Sequence, residues 1–212
     1  TLYDEDGKWI GDYDVNGQPF QQVVWLDNLP VGLLVGAGAN QKLYYIEADA
    51  LGTPRVLIDP DRNVAVWRWD LADEAFGDSA PNEDPDADNI AFVFDMRFPG
   101  QRYDSATGLN YNYFRDYDPG TGRYVQSDPV GLDGGISTFG YVLQNPMLFA
   151  DTLGLDVDIN LLPPNSKAYQ YARLYKNDPN ECTIIGHGKP MSLAGRSSDL
   201  IWKIIQNTPS CK

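Results

Sequence analysis

Apolar and polar positions alternate in short bursts over the first 75 residues. KLYYIEADALGTPRVLIDPDRNVAVWRWD is representative. Leu43 to Ile46 reads as a strand, ALGTP as a turn, RVLID as a strand, PDRN as a turn and VAVWRW as a strand. β-Branched and aromatic residues favour extended backbone, and Gly, Pro, Asp and Asn break it. Turn signals recur every ~10–15 residues, a spacing that predicts stacked hairpins. Two aromatic-Asp-x-x-Gly turns, Tyr3 to Gly7 and Tyr13 to Gly17, form a short repeat.

Residues 78–89, DSAPNEDPDADN, are acidic and poor in apolar side chains, which predicts an exposed loop. The strand pattern resumes at IAFVFDMRF and continues through YNYFRDY and GRYVQSD. STFGYVLQNP and MLFADTLGL follow, apolar enough to predict a mostly buried tail. After Leu155 the period changes. SKAYQYARLYKN (166–177) predicts a helix with Ser166 at its N-cap, CTIIG (182–186) a short buried strand, and SSDLIWKIIQN (197–207) a second helix. The fold class is therefore mainly β, followed by a short α/β segment.

Charge marks the same division. Residues 1–155 hold nine basic and 25 acidic side chains, and residues 156–212 hold seven basic and five acidic. The acidic part disfavours non-specific nucleic-acid binding. No apolar run reaches membrane-spanning length. TLYDEDGKWIGDYD is not a signal peptide and opens inside a strand-and-turn pattern, as the middle of a longer chain would. Fifty-seven residues after Leu155 are few for an independent core, so that segment reads as the start of a domain. Cys182 and Cys211 make neither a disulfide framework nor a metal site, and no cofactor motif is present.

Candidate chemistry sits at 111–132, YNYFRDYDPGTGRYVQSDPVGL. Asp116 and Asp128 flank a Gly-rich turn, and a hairpin could bring them together. Two carboxyls sharing a proton supply both an acid and a base for peptide hydrolysis. Arg115 could orient a carboxylate or stabilise an oxyanion. Alternation puts Arg115 and Asp116 on opposite faces of a regular strand, so a shared site requires a bulge. The competing reading makes these aspartates turn formers, as Asp104 and Asp118 are expected to be.

LGTPR (51–55), the block from Arg97 to Leu132 and NPMLFADTLGL (145–155) resemble the Rhs-repeat-associated core domain, and the earlier tyrosine-Asp turns resemble Rhs/YD repeats. The resemblance implies repeat strands over 1–39, a core domain over 40–155 and the N-terminal part of a toxin over 156–212. It implies a spiralling β-shell plugged by the core, and self-cleavage after the Leu of a D-P-x-G-L motif. Position by position, Arg115, Asp116 and Asp128 match the cleavage residues. DTLGL then puts the cut at Leu155–Asp156, with Thr152 replacing the usual Pro. Implied partners are the upstream shell, the chain's own toxin segment, an immunity protein and secretion-apparatus proteins, including those of type VI secretion. The implied location is that of a secreted bacterial effector made in the cytoplasm and delivered into target cells. In TIIGHGKP, His187 resembles the His-Gly of caspase-like (clan CD) cysteine peptidases, although a toxin of another class fits the same residues. The rival to a self-cutting enzyme is a non-catalytic β-shell module.

Overall fold

The computed structural model describes residues 1–5, 7–71, 74–134 and 137–155, with only the backbone of Asp133 and Gly134. The chain divides into two units, Thr1–Asp158 and Ile159–Lys212. The predicted helices at 166–177 and 197–207, the strand at 182–186, Asp156 and His187 lie outside the described residues.

Seven antiparallel strands follow one another in a meander: β1 (Leu2–Tyr3), β2 (Trp9–Tyr13), β3 (Pro19–Leu26), β4 (Leu29–Val35), β5 (Lys42–Ala48), β6 (Pro54–Asp59) and β7 (Val64–Arg68). The stacked hairpins are therefore present. The sheet continues across residues 39 and 40, because β4 pairs with β5. Asp-Gly turns close the hairpins as the repeat predicts. The amides of Gly7, Gly17 and Gly52 donate to the carbonyls of Asp4, Asp14 and Asp49. The Asp14 carboxylate also accepts the Asn16 and Gln18 amides, each at 2.8 Å. Within LGTPR, Arg55 pairs with Asp49 at 2.7 Å, so this motif fastens a turn.

One face of the sheet is buried through Val23, Leu33, Ile46, Leu57 and Trp67. Facing it is IAFVFDMRF, which the structure corrects. This stretch joins no strand ladder, and only Met96 makes an isolated bridge, to Arg102. Its period-two pattern still operates, since Phe94, Met96 and Phe98 all drop into the core. Phe94 meets Trp67 edge-on at 5.2 Å, and Phe98 meets Trp69 at 5.4 Å. Arg97 points the other way yet is also buried, donating to the carbonyls of Phe94 and Met96 between the rings of Trp69 and Tyr103. The acidic loop 78–89 is tethered rather than simply exposed. Asn82 exchanges backbone bonds with Arg68, and Arg62 reaches Asp86 and Asp88 at 2.7 and 2.8 Å.

A second, four-stranded antiparallel sheet holds β8 (Arg102–Asp104), β9 (Leu109–Asn112), β10 (Arg115–Asp118) and β11 (Arg123–Tyr124). YNYFRDY is thus two strands joined by a tight turn at Tyr113–Phe114. Asp104 and Asp118 are turn residues as expected, each accepting an amide two residues on at 3.0 Å. The tail is less buried than its composition predicts. Tyr141, Val142 and Ala150 are buried, while Phe139, Leu143, Met147 and Leu148 are exposed. Leu143 lies within a left-handed turn at Val142, Leu143 and Gln144 (φ 40°, 54° and 62°).

Candidate self-cleavage site

Strand alternation decides which side chains on β10 enter the interior. Arg115 and Tyr117 are buried, while Asp116 and Asp118 are half-buried on the opposite face. The pairing of β10 with β9 runs in register, Arg115 with Asn112 and Asp116 with Tyr111. The bulge that would turn Arg115 and Asp116 to one side is absent from this pairing.

Arg115 is the hub. Its guanidinium stacks on the Tyr124 ring, 3.6 Å from the centroid. Its NH1 reaches Asp128 at 2.9 Å and the Thr138 carbonyl at 3.2 Å. Its NH2 reaches Asp151 at 3.2 Å, and its Nε donates to the Gly154 carbonyl. The side chains of Arg115, Asp128 and Asp151 are only 2–4 % exposed. A planar fork is suited to two carboxylates and two carbonyls at once, which the point charge of a lysine is not.

Both aspartates open a D-x-x-G-L motif, and both present one carboxylate oxygen to a backbone amide of their own motif and the other to Arg115. Asp128 accepts the Val130 amide at 3.0 Å through Oδ1 and meets Arg115 through Oδ2. Asp151 accepts the Gly154 and Leu155 amides at 2.7 and 3.0 Å through Oδ1. Its Oδ2 takes Arg115 and the Tyr124 hydroxyl, the latter at 2.8 Å. Burial, and then the adjacent Asp151 carboxylate, push the Tyr124 phenol far above its ordinary pKa, so it stays a neutral donor. Asn112 donates to the Tyr124 hydroxyl at 2.7 Å and to the Asp151 carbonyl at 2.9 Å.

The segment before the expected cut is packed tightly. Gly154 has φ +70°, and a Cβ there would lie 2.6 Å from the Asn112 carbonyl oxygen. Only glycine meets both conditions without strain. Asp151–Gly154 also runs beside Asn112–Arg115 in the same direction: Asn112 bonds the Asp151 carbonyl, Phe114 the Leu153 carbonyl and Arg115 the Gly154 carbonyl.

Of the residues expected at the site, the structure brings together Arg115, Asp128 and the backbone leading to Leu155. Asp116 has a different partner. Its carboxylate accepts from Gln126 Nε2 at 2.7 Å, and its own backbone amide donates to Gln126 Oε1 at 2.7 Å. Sequence reasoning missed Asp151 and Tyr124. The usable signal was the repetition of D-x-x-G-L, whose two aspartates both meet Arg115.

No family model matches the chain. It is 35% identical over 161 residues to "Putative uncharacterized protein YibJ" of Escherichia coli K12, covering 76% of this chain and 65% of that protein. It is 34% identical to "Probable deoxyribonuclease RhsB" of Dickeya dadantii, over 73% of this chain and 11% of the relative. "Double-stranded DNA deaminase toxin A" of Burkholderia cenocepacia is 34% identical, over 62% of this chain and 9% of that protein. The chain thus spans about two thirds of the first relative and about a tenth of the other two. Among solved structures, TcdB2-TccC3 without its hypervariable C-terminal region superposes at a TM-score of 0.44 and 22% identity, over 68% of this chain and 8% of that one. No helix among the described residues is long and apolar enough to cross a membrane.

Proposed function

On the premise that this chain is a homologue of Rhs-type toxin proteins, we propose that it is their core segment and hydrolyses its own Leu155–Asp156 bond, freeing the toxin that begins at Asp156. The named relatives differ in activity, one a probable deoxyribonuclease and another a double-stranded DNA deaminase toxin, yet each is 34% identical to this chain over more than half its length. A common core carrying an exchangeable toxin fits that pattern, and secreted delivery into target cells fits the toxin names. The remaining shell, an immunity protein and secretion proteins are the partners this role requires.

The observation that carries the reading is the grip of Arg115 on the Gly154 carbonyl and on two buried carboxylates. In the reaction, one carboxyl of the Asp116/Asp128 pair takes a proton from water, which attacks the Leu155 carbonyl. The other protonates the Asp156 nitrogen as the C–N bond breaks. Arg115 steadies the oxyanion through the charge it already presents beside Gly154. The reactive arrangement requires Asp116 to leave Gln126 and β10 to bulge at Arg115–Asp116, because regular pairing holds the two side chains on opposite faces. In the freed segment, His187 would act as base for a cysteine nucleophile; a His187→Ala variant with undiminished toxicity removes that assignment.

The rival reading, a non-catalytic wall module, is favoured by one observation: Asp116 and Asp128 each already have a structural partner. Asp116→Asn and Asp128→Asn separate the two. Self-cleavage predicts one intact band for each variant. If both still split after Leu155, the carboxylate mechanism is wrong.

A further inference from the structure

Two stretches of the chain read D-x-x-G-L-D, at 128–133 and 151–156, so local sequence does not choose between the Leu132–Asp133 and Leu155–Asp156 bonds. Their surroundings differ. In the first, Val130 and Leu132 are 42 % and 71 % exposed, and a Cβ on Gly131 would meet nothing within 4 Å among the described residues. In the second, successive residues are seated. Gly100 lies against the Thr152 carbonyl, closer than any side-chain carbon could approach. The Phe114 amide holds the Leu153 carbonyl at 3.2 Å. The Leu153 side chain rests on Gly7, in the turn between β1 and β2. A Cβ on Gly7 would lie 2.6 Å from Leu153 Cδ2 and 3.6 Å from the Tyr113 ring.

Gly7 has a twin in the next hairpin. Gly7 and Gly17 have φ +80° and +79°, and each amide donates to the Asp carbonyl three residues back at 3.1 Å. The Asp4 and Asp14 carboxylates each accept the amide four residues on at 2.8 Å. The turns match, but a Cβ on Gly17 would meet nothing within 4 Å among the described residues. The turn itself asks only for a residue that tolerates positive φ, which asparagine does. The bare α-carbon at Gly7 is required by Leu153.

We propose that Gly7 of the first repeat hairpin, with Tyr113 beside it, is the subsite for Leu153, and that seating this side chain selects Leu155–Asp156 over Leu132–Asp133 for self-hydrolysis. This rests on the self-cleavage reading. The cutting site is then completed by the repeat strands as well as by the core, so a chain whose first hairpin has not formed keeps its C-terminal segment attached. A Cβ 2.6 Å from Leu153 sits about an ångström inside ordinary carbon–carbon contact. A displacement of that size costs a positioned reaction ~100-fold in rate.

The test uses the full chain, synthesised in a cell-free system so that the uncut form is caught. Splitting is followed by gel, and the bond cut is identified by intact mass, at a temperature where every variant is folded by near-ultraviolet circular dichroism. Gly7→Asn, Gly17→Asn, Leu153→Ala and the Gly7→Asn/Leu153→Ala double variant are compared with wild type. Gly7→Asn should cut about 10- to 100-fold more slowly, while Gly17→Asn stays within about twofold of wild type. Leu153→Ala should cut severalfold more slowly, because its subsite is unfilled. The double variant should return to the Leu153→Ala rate, since the smaller side chain makes room for the new Cβ. A general weakening of the hairpins predicts instead that Gly17→Asn slows as much as Gly7→Asn and that the double variant is slower than either single one; both results overturn the inference. A cut wild type with Gly7→Asn at the wild-type rate, or with equal cutting at Leu132–Asp133, also overturns it and leaves self-cleavage standing. An uncut wild type overturns self-cleavage itself. Should Gly7→Asn fail to fold, Leu153→Ala decides, and a wild-type rate for it overturns the proposal.

Discussion

Replacing Arg115 with alanine removes the shared cation of two buried carboxylates. The three side chains are 2–4 % exposed, so water cannot screen what remains. Removing one partner of a buried ion pair costs ~3–5 kcal/mol, because the orphaned charge stays desolvated. Asp151 keeps three other donors, from Tyr124, Gly154 and Leu155, which offsets part of the loss. Asp128 keeps the Val130 amide. The lower end, ~3 kcal/mol, is therefore expected, equivalent to about 6–12 °C in Tm for a domain of this size. Arg115→Lys should recover only part of it, since an ammonium cannot span two carboxylates and two carbonyls. The assay is urea unfolding followed by fluorescence of the buried Trp67 and Trp69, on an Asp116→Asn background that keeps the chain whole. Adding Asp128→Asn and Asp151→Asn to Arg115→Ala should return part of the stability by removing the orphaned charges. A loss below ~1 kcal/mol for Arg115→Ala would refute the reasoning, since that is the scale of an exposed pair.

Four further outcomes are expected. Gly154→Ala forces a side chain into φ +70° and against the Asn112 carbonyl, and should cost ~1–3 kcal/mol in chemical denaturation while slowing cleavage. Gln126→Ala frees the Asp116 carboxylate and should leave cleavage as fast as wild type or faster in a pulse-chase assay; a tenfold slowing would show that Gln126 is needed in place. Burial alone would raise the Asp59 pKa, but hydrogen bonds from Lys42 and Arg62 outweigh it and hold the carboxyl below its ordinary value. Its stabilising contribution is thus full above the unfolded value of ~3.9 and is lost as pH falls through the lower folded value. In acid titration of stability, Asp59→Asn should start less stable at neutral pH and lose less below about pH 4 than wild type. Trp67→Ala empties a fully buried site and should cost ~3–5 kcal/mol by the same denaturation assay.

The hairpins were legible because turn chemistry and period-two alternation agree along β2 to β7, and each Asp-Gly turn is a local device. The 90–98 stretch shows the limit of that agreement. Alternation read IAFVFDMRF as a strand, but alternation describes an extended backbone and cannot tell whether a neighbour completes the ladder. Arg97 was invisible for a related reason: its carbonyl partners at Phe94 and Met96 are local, but the Trp69 ring that covers it is 28 residues away and is brought near only by tertiary packing. In the site, the alternation of Arg115 and Asp116 was readable, and the regular pairing with β9 keeps them on opposite faces. Asp151 escaped notice because its partners lie 27 to 39 residues away in sequence, at Tyr124, Arg115 and Asn112. Local motifs specify turns; a buried cluster assembled from three segments is specified by packing. The tail misled because its apolar content was counted without the backbone that sets side-chain direction, as at the left-handed turn Val142–Gln144.

Intact mass spectrometry of the freshly purified full chain is the most direct measurement. Self-hydrolysis predicts two polypeptides, one ending at Leu155 and one with a free amino group at Asp156, together 18 mass units heavier than the uncut chain by the added water. A single polypeptide of undiminished mass, from a sample whose tryptophan fluorescence reports a native fold, would contradict it.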